Sequence, residues 1–379
     1  MYNPAHKQLM VVVYDGICNS VFQSQVLAPL LASLQTSINL EITLVSFERH
    51  NPSPETLLKA IPAHDRLHLM IFHKQVFFGS WSLYPGDWQL KRLLQQLPCH
   101  HIIARGPLAG WIALKALGAI AKQHPELVRG TTPDTLPTIT IQARGLCAEE
   151  YRYAHHQQLN QPSYNPISWF KKQFYRWIYN QFNRIECETY RARGTSDIPH
   201  DITLEAVSAA LKGYLITTFH ANPDSIVLAT KDIPKAVDPT LTAQWRQQMR
   251  MQLGIPTTAY VYCYSGSYKP WQCANQTIAD FAARHAANPN AFLLILTQDR
   301  TYFERVLHAH NLPKTSYALA HAPANDLLRY LAAADAGYLF READVINWVS
   351  RPTKMLEYQA VGLNIIHNNT VAWLAGEGA

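Results

Sequence analysis

Short apolar runs separated by helical stretches constrain this chain more than any other feature. Leu9–Tyr14, Asn39–Phe47, Leu67–Phe72, His101–Ala104 and Thr138–Gln142 read as strands. Between them, Val21–Leu34, Trp88–Gln96 and Leu108–Gln123 carry helical periodicity. The second half repeats the alternation. There, helices Gln244–Leu253, Gln276–His285 and Asn325–Ala333 alternate with strands Ala259–Tyr264, Ala291–Thr297 and Ala336–Phe340. Strands joined through helices run parallel, so the pattern predicts α/β architecture with parallel sheets flanked by helices. Several runs are continuously apolar, as expected of strands covered on both faces.

At 379 residues the chain has room for two or three domains, each with its own core. The expected division is 1–228 and 229–379, near the breaks Asp232-Ile-Pro234 and Asp238-Pro239. Residues 186–212 read as a bridge with a polar loop at Arg191–Pro199, and Leu204–Leu215 as a helix and strand closing the first domain. A composition of 48% hydrophobic and 16% charged residues excludes a disordered chain. No apolar run reaches the roughly 20 residues that span a bilayer. The first apolar segment is too short for a signal peptide, so a cytoplasmic location is expected. The net charge of +6 suits phosphate-bearing ligands or an anionic membrane face. No Lys/Arg run of five or more and no zinc-finger or RNP-type motif is present, so no nucleic-acid partner is expected. Six scattered cysteines lack CxxC spacing and read as reduced, with no disulfide framework. The pairs His100-His101 and His155-His156 lack metal-ligand spacing, and no metal site is expected. Walker A, GxSxG and HExxH patterns are absent.

The densest chemistry lies between Ser350 and Ile366. Ser350 suits a helix cap, Pro352 the first turn, Gly362 the stop, and Leu363–Ile366 a following strand. Lys354 and Glu357 are three apart and share a helical face. That face begins at a positive helix end, on the edge where open α/β sheets bind ligands. A cation beside free N–H groups suits a phosphate, and a carboxylate one turn deeper suits a sugar hydroxyl pair. The other reading is a surface i,i+3 pair of little energetic consequence.

The pattern Arg341…Ser350-x-Pro-Thr-Lys-x-x-Glu-Tyr-x-Ala-x-Gly resembles the donor-site signature of GT-B glycosyltransferases, in particular their family 4-like branch. Five further segments fit in order: Val21-Phe-x-Ser-Gln-Val26, Leu44-Val-Ser-Phe-Glu48, Ala104-Arg-Gly106, Ala143–Glu150 and Tyr264–Gln272. The resemblance implies two Rossmann-like domains facing across a cleft, the first on the acceptor side and the second binding a nucleotide-diphosphate sugar. It implies transfer of a hexose-type sugar from a UDP- or GDP-sugar to a glycan or lipid-linked acceptor, with retained configuration and no obligatory cofactor or metal. Donor-binding positions would be Gly266, Ser267, Lys269, Arg341, Thr353, Lys354 and Glu357. Acceptor-side positions would be Gly16, Arg105 and Arg144, and the catalytic set Glu357, Lys354, Arg144 and Glu150. Three positions depart from the family pattern: Ser267 stands in an Arg place, Val349 in a Glu place and Gln142 in an Asp place. The chain also stops at Ala379, where relatives continue, so a truncated C-terminal domain is expected.

Several of these residues have a plainer reading. Gly16 also fits an ordinary strand–helix turn, and Gly266–Lys269 a plain βα turn. Arg341 also fits a surface ion pair with Glu342 or Asp344. Glu149 and Glu150 fit either acid/base groups or the solvated first turn of a helix. The aromatic and basic stretch 168–182 fits either a peripheral membrane contact or a helix packed on its own domain. Two other classes share the fold-level pattern: a non-catalytic nucleotide- or glycan-binding partner protein, and a sugar-nucleotide epimerase.

Overall fold

The computed structural model describes residues 6–17, 22–128, 136–162, 165–191, 202–230, 233–323 and 326–376. Twelve strands lie among them, in chain order β1 (Lys7–Val13), β2 (Leu40–Glu48), β3 (Leu67–His73), β4 (His101–Arg105), β5 (Thr138–Ala143), β6 (Ile202–Ala206), β7 (Ile226–Leu228), β8 (Tyr260–Ser265), β9 (Ala291–Leu296), β10 (Tyr317–Ala320), β11 (Ala336–Leu339) and β12 (Asn364–His367). They form two sheets, ordered β3-β2-β1-β4-β5-β6-β7 and β10-β9-β8-β11-β12. Every pairing is parallel. The chain divides into two units, Met1–Asp232 and Ile233–Ala379, with one sheet each.

Both sheets contain the order 3-2-1-4-5 of a doubly wound fold, counted from the first strand of each. The order reverses between β1 and β4 in one sheet and between β8 and β11 in the other. At such a reversal the flanking helices leave in opposite directions and open a crevice at the carboxyl ends of the strands. Register fixes those ends side by side: Val13 pairs with Arg105 in the first unit, and Cys263 pairs with Gly337 in the second.

The apolar runs become central strands. All six residues of β9 are buried. Each of its Leu and Ile side chains contributes about 1.5–3 kcal/mol on leaving water. On one side of the second sheet, Val261, Leu294, Leu331 and Tyr358 pack in one cluster. On the other, Ile278, Phe281, Phe303 and Leu307 pack beneath Leu293 and Ile295. The second sheet thus carries apolar side chains on both faces.

The structure differs from the expectations at several elements. Ile202–Ala206 is a strand and Ala209–Phe219 the helix after it, the reverse of the order expected within Leu204–Leu215. The expected bridge at 186–212 begins inside a long helix, Pro166–Tyr190, and its loop at 192–199 lies outside the described residues. The helix expected from Asn325 to Ala333 is one short piece, Leu327–Leu331, with Asn325 outside the described residues. Val21 also lies outside them, and the first described turn after it is the wide helical turn Gln23–Leu27. The helix Arg300–Ala309 and strand β10 were not expected. The five described cysteines are free, and Cys18 lies outside the described residues. Among the described residues, no helix is long and apolar enough to cross a membrane.

Candidate functional site

In the second unit, three segments meet at the point where the strand order reverses: the turn after β8, the end of β11, and the helix Thr353–Ala360. The close fit of that helix begins with a glycine. A Cβ on Gly337, in β11, would lie 2.4 Å from the Tyr358 ring. Without one, Tyr358 lies fully buried against the strand and its hydroxyl accepts the Ser265 N–H at 3.1 Å. The helix ends as its composition predicts. Gly362 takes a left-handed φ of +73°, its N–H bonds Gln359 O at 3.1 Å, and the Leu363 N–H bonds Tyr358 O at 2.9 Å.

The helix start differs from expectation. Pro352, not Ser350, is the capping residue, and no side chain caps the helix. Ser350 instead donates its hydroxyl to Asn347 O at 2.8 Å. The first turn, with Thr353 half-buried, therefore keeps its positive end uncapped.

Lys354 lies in that turn and is 7% exposed. Its Nζ donates to Gln272 Oε1 at 3.0 Å and sits 4.5 Å from the centre of the Tyr264 ring. Gly266, at a φ of +139°, leaves the space beside it open: a Cβ there would stand 3.2 Å from Lys354 Nζ and 3.0 Å from Gln272 Oε1. Burial, and next the neighbouring Arg341, push the Lys354 pKa well below its usual value, with Glu357 opposing. Arg341 is 8% exposed, so it is not a surface residue. Its backbone is clamped by Asn368 and Thr370, through Arg341 N to Asn368 Oδ1 at 3.2 Å and Thr370 Oγ1 to Arg341 O at 3.2 Å. Its guanidinium Nε is buried without a hydrogen-bond partner. Neither Arg341 nor Lys354 has an acidic oxygen within ion-pair distance among the described residues. The expected alternatives, a surface bridge from Arg341 to Glu342 or Asp344 and an exposed Lys354–Glu357 pair, are therefore not what the structure contains. Burial raises the Glu357 carboxyl pKa, and Lys354 partly offsets this.

Ser267 O accepts from Tyr264 Oη at 3.0 Å, and Lys269 is exposed with its Nζ 5.2 Å from the Trp271 ring centre. A separate cavity of about 370 Å³ opens at the carboxyl ends of β9 and β10, lined by Thr297, Gln298, Arg300, Leu319, Ala320 and His321. Gln272, Tyr264 and this cavity were not singled out from the sequence. Gln272 closes the Tyr264–Gln272 segment, and only its contact 82 residues along the chain marks it.

The first unit is arranged differently. Gly16 has a φ of +81°, and a Cβ there would lie 2.6 Å from the Glu48 carboxylate. That carboxylate already accepts the Ile17 N–H at 2.7 Å and the Ser46 hydroxyl at 2.6 Å. At the end of β5, Arg144 pairs with Glu205 at 3.1 Å, and Gln142 donates to the same oxygen at 2.9 Å. The helix Cys147–Ala154 that follows holds Glu149 and an exposed Glu150 in its first turn. Its N-terminus is filled from within: Glu186 accepts from Cys147 N at 2.6 Å and Ala148 N at 3.3 Å. Glu186 is fully buried, and burial pushes its carboxyl pKa up to about 7. Arg105 is held by the Gln25 side chain. Arg105 and Arg144 share one cavity of about 510 Å³ on the sheet face with Gln142 and Glu205; Gly16 and Glu150 do not line it.

No family model matches the sequence, and no curated protein matches it. Solved structures do. WaaG, a glycosyltransferase involved in lipopolysaccharide biosynthesis, is 12% identical, with 98% of this chain and 83% of that chain covered and a TM-score of 0.59. HepE from Anabaena, in complex with UDP and glucose, is 14% identical, with coverages of 98% and 83% and a TM-score of 0.57. The chain has the GT-B fold. A putative UDP-N-acetylglucosamine 2-epimerase from Listeria monocytogenes is also similar, at 11% identity, coverages of 96% and 79% and a TM-score of 0.50. The GT-B fold thus spans more than one reaction, and the side chains at its reversal points have to choose between them.

Proposed function

We propose that this chain is a glycosyltransferase whose second unit, 233–379, holds a nucleotide-diphosphate sugar and whose first unit receives a glycan or lipid-linked acceptor. One observation carries this reading. Lys354 and Arg341 are buried together beside an uncapped helix N-terminus; among the described residues neither has a carboxylate within ion-pair distance, and Glu357 does not outweigh burial and Arg341 at Lys354. Burying two like charges is costly unless an anion completes the site. A diphosphate supplies that anion.

In the reaction, the bond between the anomeric carbon and the diphosphate oxygen breaks, and negative charge grows on the leaving group. Lys354, Arg341 and the N–H groups at the start of helix Thr353–Ala360 stabilise that charge where it develops. Gly266 keeps a side chain out of the space beside Lys354 Nζ. Glu357, one turn further along, accepts hydrogen bonds from the ribose hydroxyls, and the cavity beside Thr297 and His321 takes the base. An acceptor hydroxyl then forms the new glycosidic bond, with retained configuration at the anomeric carbon, and passes its proton to the departing diphosphate oxygen. UDP-glucose is the first donor to try, because HepE is bound to UDP and glucose.

The test is thermal stabilisation of the full chain by UDP-, GDP- and ADP-sugars, with Glu357→Ala alongside. A rise with one nucleotide that disappears in the variant supports the assignment. A rise that Glu357→Ala leaves intact removes Glu357 from the site. No rise with any nucleotide sugar removes the donor-site reading.

A further inference from the structure

The first unit turns a run of large aromatic side chains to solvent. On helix Pro166–Tyr190, Phe170 is 66% exposed and Phe174 46%; across from them, Phe78 is 56% and Trp81 75% exposed. Tyr84 and Trp88, one helical turn apart, extend the run along the helix Tyr84–Gln96. Ring contacts make these two segments one surface. Phe78 lies 4.8 Å from Trp177 and 6.0 Å from Phe174, and Trp81 lies 6.1 Å from Tyr84. The turn that carries Phe78 and Trp81 is pressed onto the long helix: a Cβ on Gly79 would meet Gln181 at 2.9 Å. Expected membrane contact was confined to 168–182; the structure adds a second half from 76–88. Contiguous exposed apolar surface of this kind marks an interaction site.

The charge around the patch selects its occupant. With Arg184 paired to Glu188 at 2.8 Å, segments 76–96 and 165–185 leave Lys91, Arg92, Lys171, Lys172 and Arg176 against one acid, Asp87, a local balance of +4. Lys171 and Arg176 are exposed and make no ion pair among the described residues. A second copy of this chain would bring the same positive rim against itself. Trp, Tyr and Phe rings with a cationic rim match the interfacial zone of a bilayer that carries negative headgroups. We propose that this face docks the protein on an anionic lipid surface. The inference stands apart from the proposed sugar transfer, because it uses no residue of the donor site and its test uses no nucleotide sugar.

Co-sedimentation of the full chain with vesicles tests it. One set contains phosphatidylcholine and phosphatidylglycerol, the other phosphatidylcholine alone. The protein is expected to pellet with the first set and much less with the second, and added salt should release it. Lys171→Gln/Arg176→Gln should weaken binding about 30-fold, two charges at about 1 kcal/mol each. Phe170→Ser/Trp81→Ser should abolish it while circular dichroism stays unchanged, since both side chains are mostly in solvent. Three results would overturn the proposal: no binding to either vesicle set, binding that both double variants retain, or a dimer in sedimentation velocity that Phe170→Ser/Trp81→Ser dissolves.

Discussion

Replacing Lys354 with methionine is expected to make the empty protein more stable and the liganded protein less so. The ammonium is buried, donates one hydrogen bond to Gln272 and rests on the Tyr264 ring. Losing a hydrogen bond from a charged donor costs about 1.5–3 kcal/mol, and losing the ring contact about 1–2 kcal/mol. Against this stands the desolvation of a buried ammonium, several kcal/mol, and repulsion from Arg341, which Glu357 offsets in part. The Tyr264 hydroxyl lies 3.0 Å from both Ser267 O and Gln272 Oε1, and in the variant it can turn its one proton to Gln272, so the amide oxygen need not be left without a donor. Substituting an apolar side chain for a buried charge at such a site is expected to gain about 1–2 kcal/mol. For a unit of this size that raises Tm by about 4–8 °C. A nucleotide sugar at about a hundred times its Kd stabilises the wild type by about 2.7 kcal/mol, or roughly 10 °C, and the variant hardly at all. The folded-state pKa of Lys354 lies below its ordinary 10.5, so the unfolded chain holds that proton to higher pH. Wild-type stability therefore rises with pH between the folded value and 10.5, and the gap to Lys354→Met closes over that window. Scanning fluorimetry with and without donor reads both effects. A Lys354→Met protein that is less stable when empty yet equally stabilised by donor would show that the buried cation serves packing alone.

Further outcomes follow from other residues. Glu357→Gln should weaken nucleotide-sugar binding about 10- to 100-fold, the value of hydrogen bonds to a charged acceptor, and 2′,3′-dideoxy nucleotides should bind both proteins alike; calorimetry would expose a Glu357 that ignores the ribose by finding the wild type indifferent to the missing hydroxyls. Gly337→Ala drives a methyl to 2.4 Å from Tyr358 and should cost about 1–3 kcal/mol of unfolding free energy with loss of donor binding; an unchanged denaturant midpoint would mean that the helix Thr353–Ala360 shifts freely. Glu186 binds its proton more tightly folded than unfolded, so stability falls as pH rises from 4.5 to about 7, by about 3 kcal/mol. Glu186→Gln should match the wild type at pH 4.5 and exceed it above pH 7; parallel pH profiles for the two would remove Glu186 as the titrating group.

Where an apolar run was continuous and long, the strand was readable, because burial on both faces needs no partner information. β2 and β9 lie within a residue of their expected bounds for that reason. β10, four half-buried residues, gives no such signal and emerged only through its pairing with β9. Ser350 satisfied a local capping pattern, yet its hydroxyl turned back to Asn347 and left the helix start bare. The segments around Gly266, Arg341 and Lys354 stood out locally, and the structure brings them to one reversal point. The partners that set their chemistry lie far along the chain: Gln272 is 82 residues from Lys354, and Glu186 is 39 from Cys147. Local spacing carries no record of such contacts.

The two carboxylates that close the first unit have a consequence for competition. Glu48 occupies the N–H group after β1, and Glu186 occupies the pair at the start of helix Cys147–Ala154. Each is a tethered ligand, present at an effective concentration that a free anion in solution does not approach. Phosphate groups drifting into the first unit meet positions already taken by the protein itself. In the second unit Lys354 and Arg341 have no carboxylate within ion-pair distance among the described residues, so a diphosphate arriving there would not first have to evict an acidic side chain.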